Sequence, residues 1–423
     1  MVNILDELKW RGLVAHTTDD AALHAAFDKG PVSYYTGYDP TAHSLHVGHM
    51  VQILNMRRLQ LAGHRPIVLI GGATGLIGDP RPTTERSMQS ADVVAQQAES
   101  IRRQFDPFLD FHGPQGAIVV NNLDWTAPIS AIDFLREYGK HFRMGTMLSR
   151  DIVARRINSD EGMSFTEFSY QILQALDFRE LYRSYGCTLQ MGGNDQWGNM
   201  IGGAEFIRKT EQVSAHVLAT TLVTKADGSK MGKSEGGALW IDPQLTSPYA
   251  FYQYWLNAAD ADVVHYLKLL TFRSQEQVAD LQQQVVDSPF KREAQKALAQ
   301  DLTSLVHGEQ ATAAVQLASL ALFGRGDLRD LDVVTLLGAV AELPSAQGGS
   351  GAQVADMLVA SGLAASRSEA RRAIADGGAY VNNVKVESVD QELLSDQFLH
   401  GQCAVLRRGK KTLAVVRAGG LGL

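Results

Sequence analysis

The chain has 423 residues, 45% hydrophobic and 20% charged, with a formal net charge of −7 at pH 7. That balance describes a globular protein of roughly three domains, excludes disordered and fibrous classes, and argues against indiscriminate coating of nucleic acid. No apolar run approaches a membrane span, and the start, MVNILDELKWRG, lacks a signal-peptide layout. Cys187 and Cys403 lie far apart with no C-x-x-C spacing, which fits a reducing cytoplasm rather than a disulfide or thiolate–zinc scaffold.

Residues 1–30 read as a helical, acidic lead-in. Val32 to Thr36 reads as a buried strand, broken by Gly37, Asp39 and Pro40. An amphipathic helix is expected from about Ser44 to Gly63, with Met50, Val51, Ile53, Leu54, Leu59 and Leu61 as its apolar stripe. His46 and His49 share one face of its first turn, where free N–H groups and the dipole favour phosphate, and Gly48 leaves room for a flat base. Alone, an H-x-x-H pair is equally a half-buried surface pair or half a metal site. A second strand, Pro66 to Ile70, enters GGATGLIGDP, whose glycines permit close backbone approach or serve packing alone. A helix over 91–111, a strand over 117–120 and a helix over 129–138 follow. Strand–helix alternation implies an α/β fold: a Rossmann-like parallel sheet with ligands at the carboxyl ends of its strands.

In FTEFSYQILQALDF (165–178), Tyr170, Gln174 and Asp177 fall at i, i+4 and i+7. This polar stripe contains no Lys, Arg or Glu, so it suits a small polar ligand better than bulk solvent. Cys187 to Met191 reads as a strand, followed by GGNDQWGN and a helix through Arg208, a repeat of the opening layout. After a strand over Val217–Thr224 comes the loop KADGSKMGKSEGG, with Lys225, Lys230 and Lys233 among glycines. It reads as a flap able to swing ammonium groups onto phosphates, or as a solvated basic hairpin. A short strand, Ala238–Ile241, closes this region. Ser247-Pro248 starts a helical stretch that carries a capping box at Ser274 and Gln277. AQGGSG reads as a flexible linker. From Gly351 onward nine Lys/Arg outnumber seven Asp/Glu in a helix–helix–strands pattern. Arg367, Arg371 and Arg372 form one basic cluster there, and Arg407, Arg408, Lys410 and Lys411 form another, a composition suited to RNA phosphates.

His46-Val47-Gly48-His49 and Lys230-Met231-Gly232-Lys233-Ser234 resemble the HIGH and KMSKS signatures of class I aminoacyl-tRNA synthetases. YYTGYDPT, GGATGLIGDP, FTEFSYQ, GGNDQWGN and LVTKADGSKMGKS resemble the bacterial tyrosyl-tRNA synthetase family over nearly the whole chain. Val47 and Gly232 depart from the signatures, and Arg81-Pro82-Thr83 stands where many members carry Ser-Gly-Lys, which leaves this loop's pyrophosphate contacts to Arg86. The resemblance implies a Rossmann-like catalytic domain over 1–245, an α-helical anticodon-side domain over 246–323, a linker over 324–350 and a small α+β S4-like RNA-binding domain over 351–423.

The resemblance also implies roles. Tyr35, Tyr170, Gln174, Asp177 and Gln190 line a tyrosine pocket with Asp39 nearby. Tyr35 and Asp177 meet the phenol, Tyr170 and Gln174 the α-ammonium, and Asp79 and Gln196 help place the amino acid. Gly37, Gly48, Gly193 and Asp195 cradle adenosine, with Asp195 on the ribose. Thr41, His46, His49, Lys230, Lys233 and Ser234 surround the phosphates. The expected substrates are L-tyrosine, ATP with Mg2+ and tRNA(Tyr), with no protein-ligated metal, no membrane and a homodimer through the catalytic domain. The rivals are a tryptophanyl-tRNA synthetase and an RNA-binding protein on an inactive synthetase scaffold.

Overall fold

The structure, a computed structural model, describes residues 3–80, 88–224, 228, 231, 233, 234, 237–409 and 412–419. The chain divides into two units, one of 1–245 with 258–294 and one of 246–257 with 295–423.

In the first unit β1 (Val14–Thr17), β2 (Ser33–Tyr38), β3 (Arg65–Ile70), β4 (Ile118–Asn121), β5 (Cys187–Gly193) and β6 (His216–Thr220) form one sheet in the order β1-β6-β5-β2-β3-β4. β1 is antiparallel to β6, and all other pairings are parallel. Central parallel strands are covered on both faces and need apolar side chains throughout. Accordingly β3 is buried from Pro66 to Ile70, and Tyr34, Tyr35 and Thr36 of β2 are buried together. The chain leaves β2 toward β3 and β4 on one side and returns through β5 and β6 on the other. Such a reversal opens a crevice outside the carboxyl ends of the two middle strands. Register sets Tyr35 beside both Ile67 and Gln190 at that point.

The helix after β2 spans Val47–Leu61 and starts later than the sequence suggests, because Gln104 Oε1 accepts the Leu45 N–H at 2.8 Å and holds 44–45 in a turn. The expected single apolar stripe is also corrected. Asn55, Met56, Arg58 and Gln60 are buried with the apolar residues, whereas Leu61 is 62% exposed. Arg58 is tolerated inside because its Nη1 donates to Asn55 Oδ1 at 2.9 Å and its Nη2 to the carbonyls of Leu269 and Thr271 at 2.9 and 2.8 Å. Those carbonyls end the helix Asp260–Leu270, where orphan acceptors and the negative dipole end favour a cation. Arg11 reinforces the contact through the carbonyls of Lys268 and Thr271. These arginines explain why 258–294 belongs with the sheet, although 246–323 is expected to form one helical domain.

Two other helices differ from expectation. The one expected over 91–111 stops at Arg103, after which Phe105, Phe108 and Leu109 turn inward and are buried. The one expected over 129–138 is a single turn, Ala131–Asp133, running into a π-helical turn, Phe134–Tyr138. The helix Phe165–Tyr185 starts at the N-cap Ser164, continues beyond Phe178 and ends at Gly186, left-handed at φ 64°. β7 (Lys233–Ser234) and β8 (Gly237–Ala238) form a small antiparallel pair.

The second unit contains the sheet β11-β10-β12-β13-β9, with β9 (Ser345–Gly348), β10 (Ala379–Val381), β11 (Val384–Lys385), β12 (Cys403–Arg408) and β13 (Thr412–Ala418). Period-two alternation divides its strands between two cores. Ala404, Leu406, Ala414 and Val416 pack with Leu358, Ala370 and Ile374 on one face. Cys403, Val405, Leu413 and Val415 pack with Leu322, Leu336 and Val340 on the other. Of the AQGGSG stretch expected as a flexible linker, Ala346 to Gly348 belong instead to β9, with Ser345 to Gly348 paired in parallel with Val415 to Ala418, while Gly349 to Gly351 lie beyond the strand. Its small side chains allow close packing, and its hydrogen bonds come from β13.

Candidate active site

A cavity of about 260 Å³ opens at the crevice between β2 and β5. It is bordered by Tyr35, Gly37, Asp39, Thr41, His49, Asp79, Tyr170, Gln174, Asp177, Gln190, Gly193, Asp195 and Gln196, residues that the sequence scatters over 160 positions. The polar stripe of the helix Phe165–Tyr185 thus faces inward, and the solvated-face alternative fails for it.

At the buried end, Asp177 is 1% exposed and Tyr35 is 1% exposed. Asn122 Nδ2 donates to Asp177 Oδ2 at 3.0 Å, and Trp125 Nε1 to Oδ1 at 2.9 Å. Burial pushes the Asp177 carboxyl up to about 7; the bonds from Asn122 and Trp125 oppose that rise, and Asp39 adds to it. The Tyr35 hydroxyl is enclosed without a hydrogen-bond partner, as are Oε1 of Gln174, Gln190 and Gln52, all on residues lining the cavity. Thr36 Oγ1 is a fifth such atom, and buried polar atoms are normally satisfied, so this cluster around one cavity marks a place for a polar ligand.

A second group of carboxylates lies above. Thr74 Oγ1 donates to Asp39 Oδ1 at 2.7 Å, and the Tyr170 hydroxyl to Asp39 Oδ2 at 2.8 Å. Gln196 Nε2 donates to Asp79 Oδ2 at 2.8 Å. Two carboxylates with oriented donors suit an ammonium group. Gly71 lets this arrangement close, because a Cβ there would collide with Asp39 Oδ1 and Thr74 Oγ1.

His46 is the N-cap of the Val47–Leu61 helix: its Nδ1 accepts the Gly48 N–H at 3.0 Å, and its own N–H donates to His49 Nδ1 at 3.1 Å. A Cβ at Gly48 would stand 2.7 Å from His46 Cε1, so glycine is required beneath the ring. Burial lowers the pKa of both rings and, with the His46 ring adding to it, takes His49 to about 3. Both rings are neutral, accept through Nδ1 and keep their proton on Nε2. They are hydrogen-bond donors rather than cations. Lys230, Arg81-Pro82-Thr83 and Arg86 lie outside the described residues. For Lys233 and Ser234 the description covers the backbone of β7 alone.

Sequence reasoning missed Gln52, Thr74, Asn122, Trp125 and Asn199. Asn122 is the most informative: its Oδ1 accepts the Ala73 N–H at 2.7 Å, and its Nδ2 also donates to Thr74 Oγ1 at 3.0 Å. Its signal is positional, an asparagine directly after β4 at the carboxyl edge of the sheet.

In the second unit Arg367 pairs with Asp356 at 2.6 Å, Arg371 with Asp390 at 2.9 Å and Arg408 with Glu369 at 2.8 Å. Arg407 stacks over the Tyr380 ring at 3.8 Å. Arg372 is exposed on the helix Arg367–Ala375. Lys410 and Lys411 lie outside the described residues. Among the described residues no helix is long and apolar enough to cross a membrane, and no three His, Cys, Asp or Glu side chains converge as metal ligands would.

Residues 28–324 match the family model for class I tRNA synthetases (W and Y), and residues 336–416 match that of the tyrosine–tRNA ligase SYY-like C-terminal domain. The tyrosine–tRNA ligase of Streptomyces coelicolor is 56% identical over 421 residues, covering 99% of this chain and 100% of that one. That of Cutibacterium acnes is 53% identical over 418 residues, covering 98% and 100%. Among solved structures, a C-terminally truncated mitochondrial tyrosyl-tRNA synthetase from Coccidioides posadasii aligns with a TM-score of 0.66 at 30% identity, over 74% of this chain and 91% of that one. A tryptophanyl-tRNA synthetase from Encephalitozoon cuniculi shares the fold with a TM-score of 0.54 at 15% identity, over 73% of this chain and 87% of that one. The carboxylate-lined cavity at the strand crossover and the two-histidine helix start are thus features of a chain that belongs to the class I tRNA synthetases, within the tyrosine–tRNA ligase family.

Proposed function

We propose that this chain activates L-tyrosine with ATP to tyrosyl-adenylate and pyrophosphate, then transfers tyrosine to the 3′ end of tRNA(Tyr). One observation carries the amino-acid choice: the Asp177 carboxylate and the unpartnered Tyr35 hydroxyl lie together at the buried end of the cavity. A phenol donates to Asp177 and accepts from Tyr35. Phenylalanine would leave the Tyr35 hydroxyl unpaired and offer Asp177 no donor beyond Asn122 and Trp125, and an indole N–H offers Tyr35 no acceptor. Asp39 and Asp79, with Tyr170, Gln174 and Gln196, then receive the amino-acid backbone.

ATP enters as its Mg2+ complex, with adenosine over Gly37, Gly48 and Gly193 and the ribose at Asp195. The tyrosine carboxylate attacks the α-phosphorus; the bond from that phosphorus to the pyrophosphate oxygen breaks, and pyrophosphate carries the electron pair away. A carboxylate is ionised at neutral pH, so no general base is required. The rate gain comes from alignment and from donors that meet charge on the leaving group. Thr41 and the Nε2–H groups of His46 and His49 are the neutral donors, Lys230 and Lys233 the cations, and Ser234 adds a hydroxyl.

We assign this chemistry to 1–245 and tRNA binding to the basic residues of 351–423, with 246–323 on the anticodon side. The exposed apolar side chains Ile132, Leu135, Met144 and Phe165 support a homodimer through the catalytic unit, and the two buried free cysteines, Cys187 and Cys403, agree with a cytoplasmic location. ATP–pyrophosphate exchange without tRNA tests the reading. Exchange should depend on tyrosine; equal exchange with tryptophan or phenylalanine would refute the assignment.

A further inference from the structure

The Asn199 side chain stands between the pair Asp79–Gln196 and a guanidinium outside every motif. Arg150 Nη1 donates to Asn199 Oδ1 at 3.1 Å. Asn199 Nδ2 donates to Asp79 Oδ1 at 3.2 Å and to Gln196 Oε1 at 3.2 Å, while Gln196 Nε2 donates to Asp79 Oδ2 at 2.8 Å. An amide offers oxygen on one side and NH2 on the other, so two amides in series can each be reversed. A guanidinium only donates. Arg150 therefore holds the Asn199 oxygen outward and its NH2 toward Asp79, which in turn fixes the Gln196 oxygen toward Asn199 and its NH2 toward the carboxylate. With Asn199 reversed, an amide oxygen would oppose the Asp79 carboxylate.

The fold makes room for this contact. Arg150 lies along the helix Trp197–Glu211 over two glycines one turn apart: a Cβ at Gly202 would stand 2.6 Å from Arg150 Nη2, and one at Gly198 would stand 3.5 Å from Arg150 Cδ. Burial lowers the Arg150 pKa while Glu205 pulls it back, so the guanidinium is kept here against a desolvation cost.

We propose that Arg150 is a positioning residue for amino-acid recognition, setting through Asn199 the orientation in which Asp79 and Gln196 meet the α-ammonium end of the substrate. This rests on the tyrosine-activation reading above. The test uses the full chain, with L-tyrosine as substrate and 3-(4-hydroxyphenyl)propionate, which has the phenol but no ammonium, as competitor. Arg150→Met and Gly202→Ala should each raise the KM for tyrosine in pyrophosphate exchange roughly three- to tenfold. The KM for ATP and the inhibition constant of the propionate should stay at wild-type values. Arg150→Lys, whose ammonium also only donates, should recover most of the loss. Gly202→Ala retains the charge and displaces only the far end of a flexible side chain, so it carries the test where Arg150→Met fails to fold. An unchanged tyrosine KM in the folded variants, or equal weakening of tyrosine and the propionate, overturns the proposal. A wild-type chain that does not exchange with tyrosine would instead defeat the activity reading.

Discussion

The main-chain N–H of His46 donates to the ring of His49, Nδ1, at 3.1 Å, so the two signature histidines are joined before any nucleotide arrives. The Gly48 N–H is taken in the same way by His46 Nδ1 at 3.0 Å, so these two helix-start donors are occupied and the Nε2–H groups remain for phosphate oxygens.

A pH consequence follows for stability. Burial holds His49 near 3 when folded, whereas an unfolded histidine titrates near 6.5. Above 6.5 neither state binds the proton, and stability from this ring is complete. As pH falls below 6.5 the unfolded chain takes up a proton that the folded chain refuses until about 3. Between pH 7 and pH 5 this should cost about 2 kcal/mol. His49→Asn retains an acceptor for the His46 N–H and does not titrate, so urea unfolding at the two pH values should show a smaller difference. An equal difference would mean that His49 is not the group responsible.

Asp177 has the opposite sign. Its carboxyl rises to about 7 in the fold, from 3.8, so the stability it contributes is complete below 3.8 and is lost as pH rises toward 7. Tyrosine affinity should run the other way, strengthening from pH 6 to pH 8 as the carboxylate that accepts the phenol proton forms. Asp177→Asn should flatten that profile and shrink discrimination against phenylalanine, since a hydrogen bond to a charged group contributes about 1.5–3 kcal/mol. Calorimetric titration with both amino acids checks it. Unaltered selectivity would remove Asp177 from the role of reader.

Asn122→Ala deletes a donor that favours the ionised Asp177 and frees Thr74 from its other partner. The midpoint of the tyrosine-affinity profile should move to higher pH, with affinity restored in alkaline buffer. A uniform loss at every pH would point to collapse of the pocket instead.

For RNA, Arg371→Gln with Arg372→Gln should reduce the salt slope of tRNA binding by about 0.7–0.9 per lost phosphate contact while tyrosine activation is retained. Arg407→Gln should behave differently, because Arg407 packs on Tyr380 and its loss should lower thermal stability. Filter binding across a salt series separates the two classes; an unchanged slope would clear Arg371 and Arg372 of phosphate contact.

Part of the cavity was legible because Gly37, Asp39 and Gly71 to Asp79 sit at strand ends and Tyr170, Gln174 and Asp177 on one helix stripe, both short-range patterns. Tyr35, Gln190, Asp195 and Gln196 came only with the family resemblance. Asp177 could be placed by its i, i+4, i+7 spacing with Tyr170 and Gln174. Its partners Asn122 and Trp125 could not, since they follow another strand, β4, and meet it only through the sheet order. Arg58 and Arg11 drew no reading for a related reason: a charge inside a helix pattern gives no sign of burial unless the distant carbonyls it caps are known. The first half of AQGGSG reads as linker because small residues without periodicity show no strand pattern, and β13, which pairs with Ala346 to Gly348, lies far away in sequence.

That pairing dictates an order of events during folding. β9 waits at Ser345 for Val415, the residue opposite it in the register, and is flanked in the sheet by β13 alone. Until β13 emerges, the face carrying Leu322, Leu336 and Val340 lacks the part of its cover formed by Leu413 and Val415. Closing so long a loop is slow, and it must precede the contacts that reward it. A nascent chain halted before residue 412 should therefore expose a sticky helical surface, the kind of segment on which chaperones act.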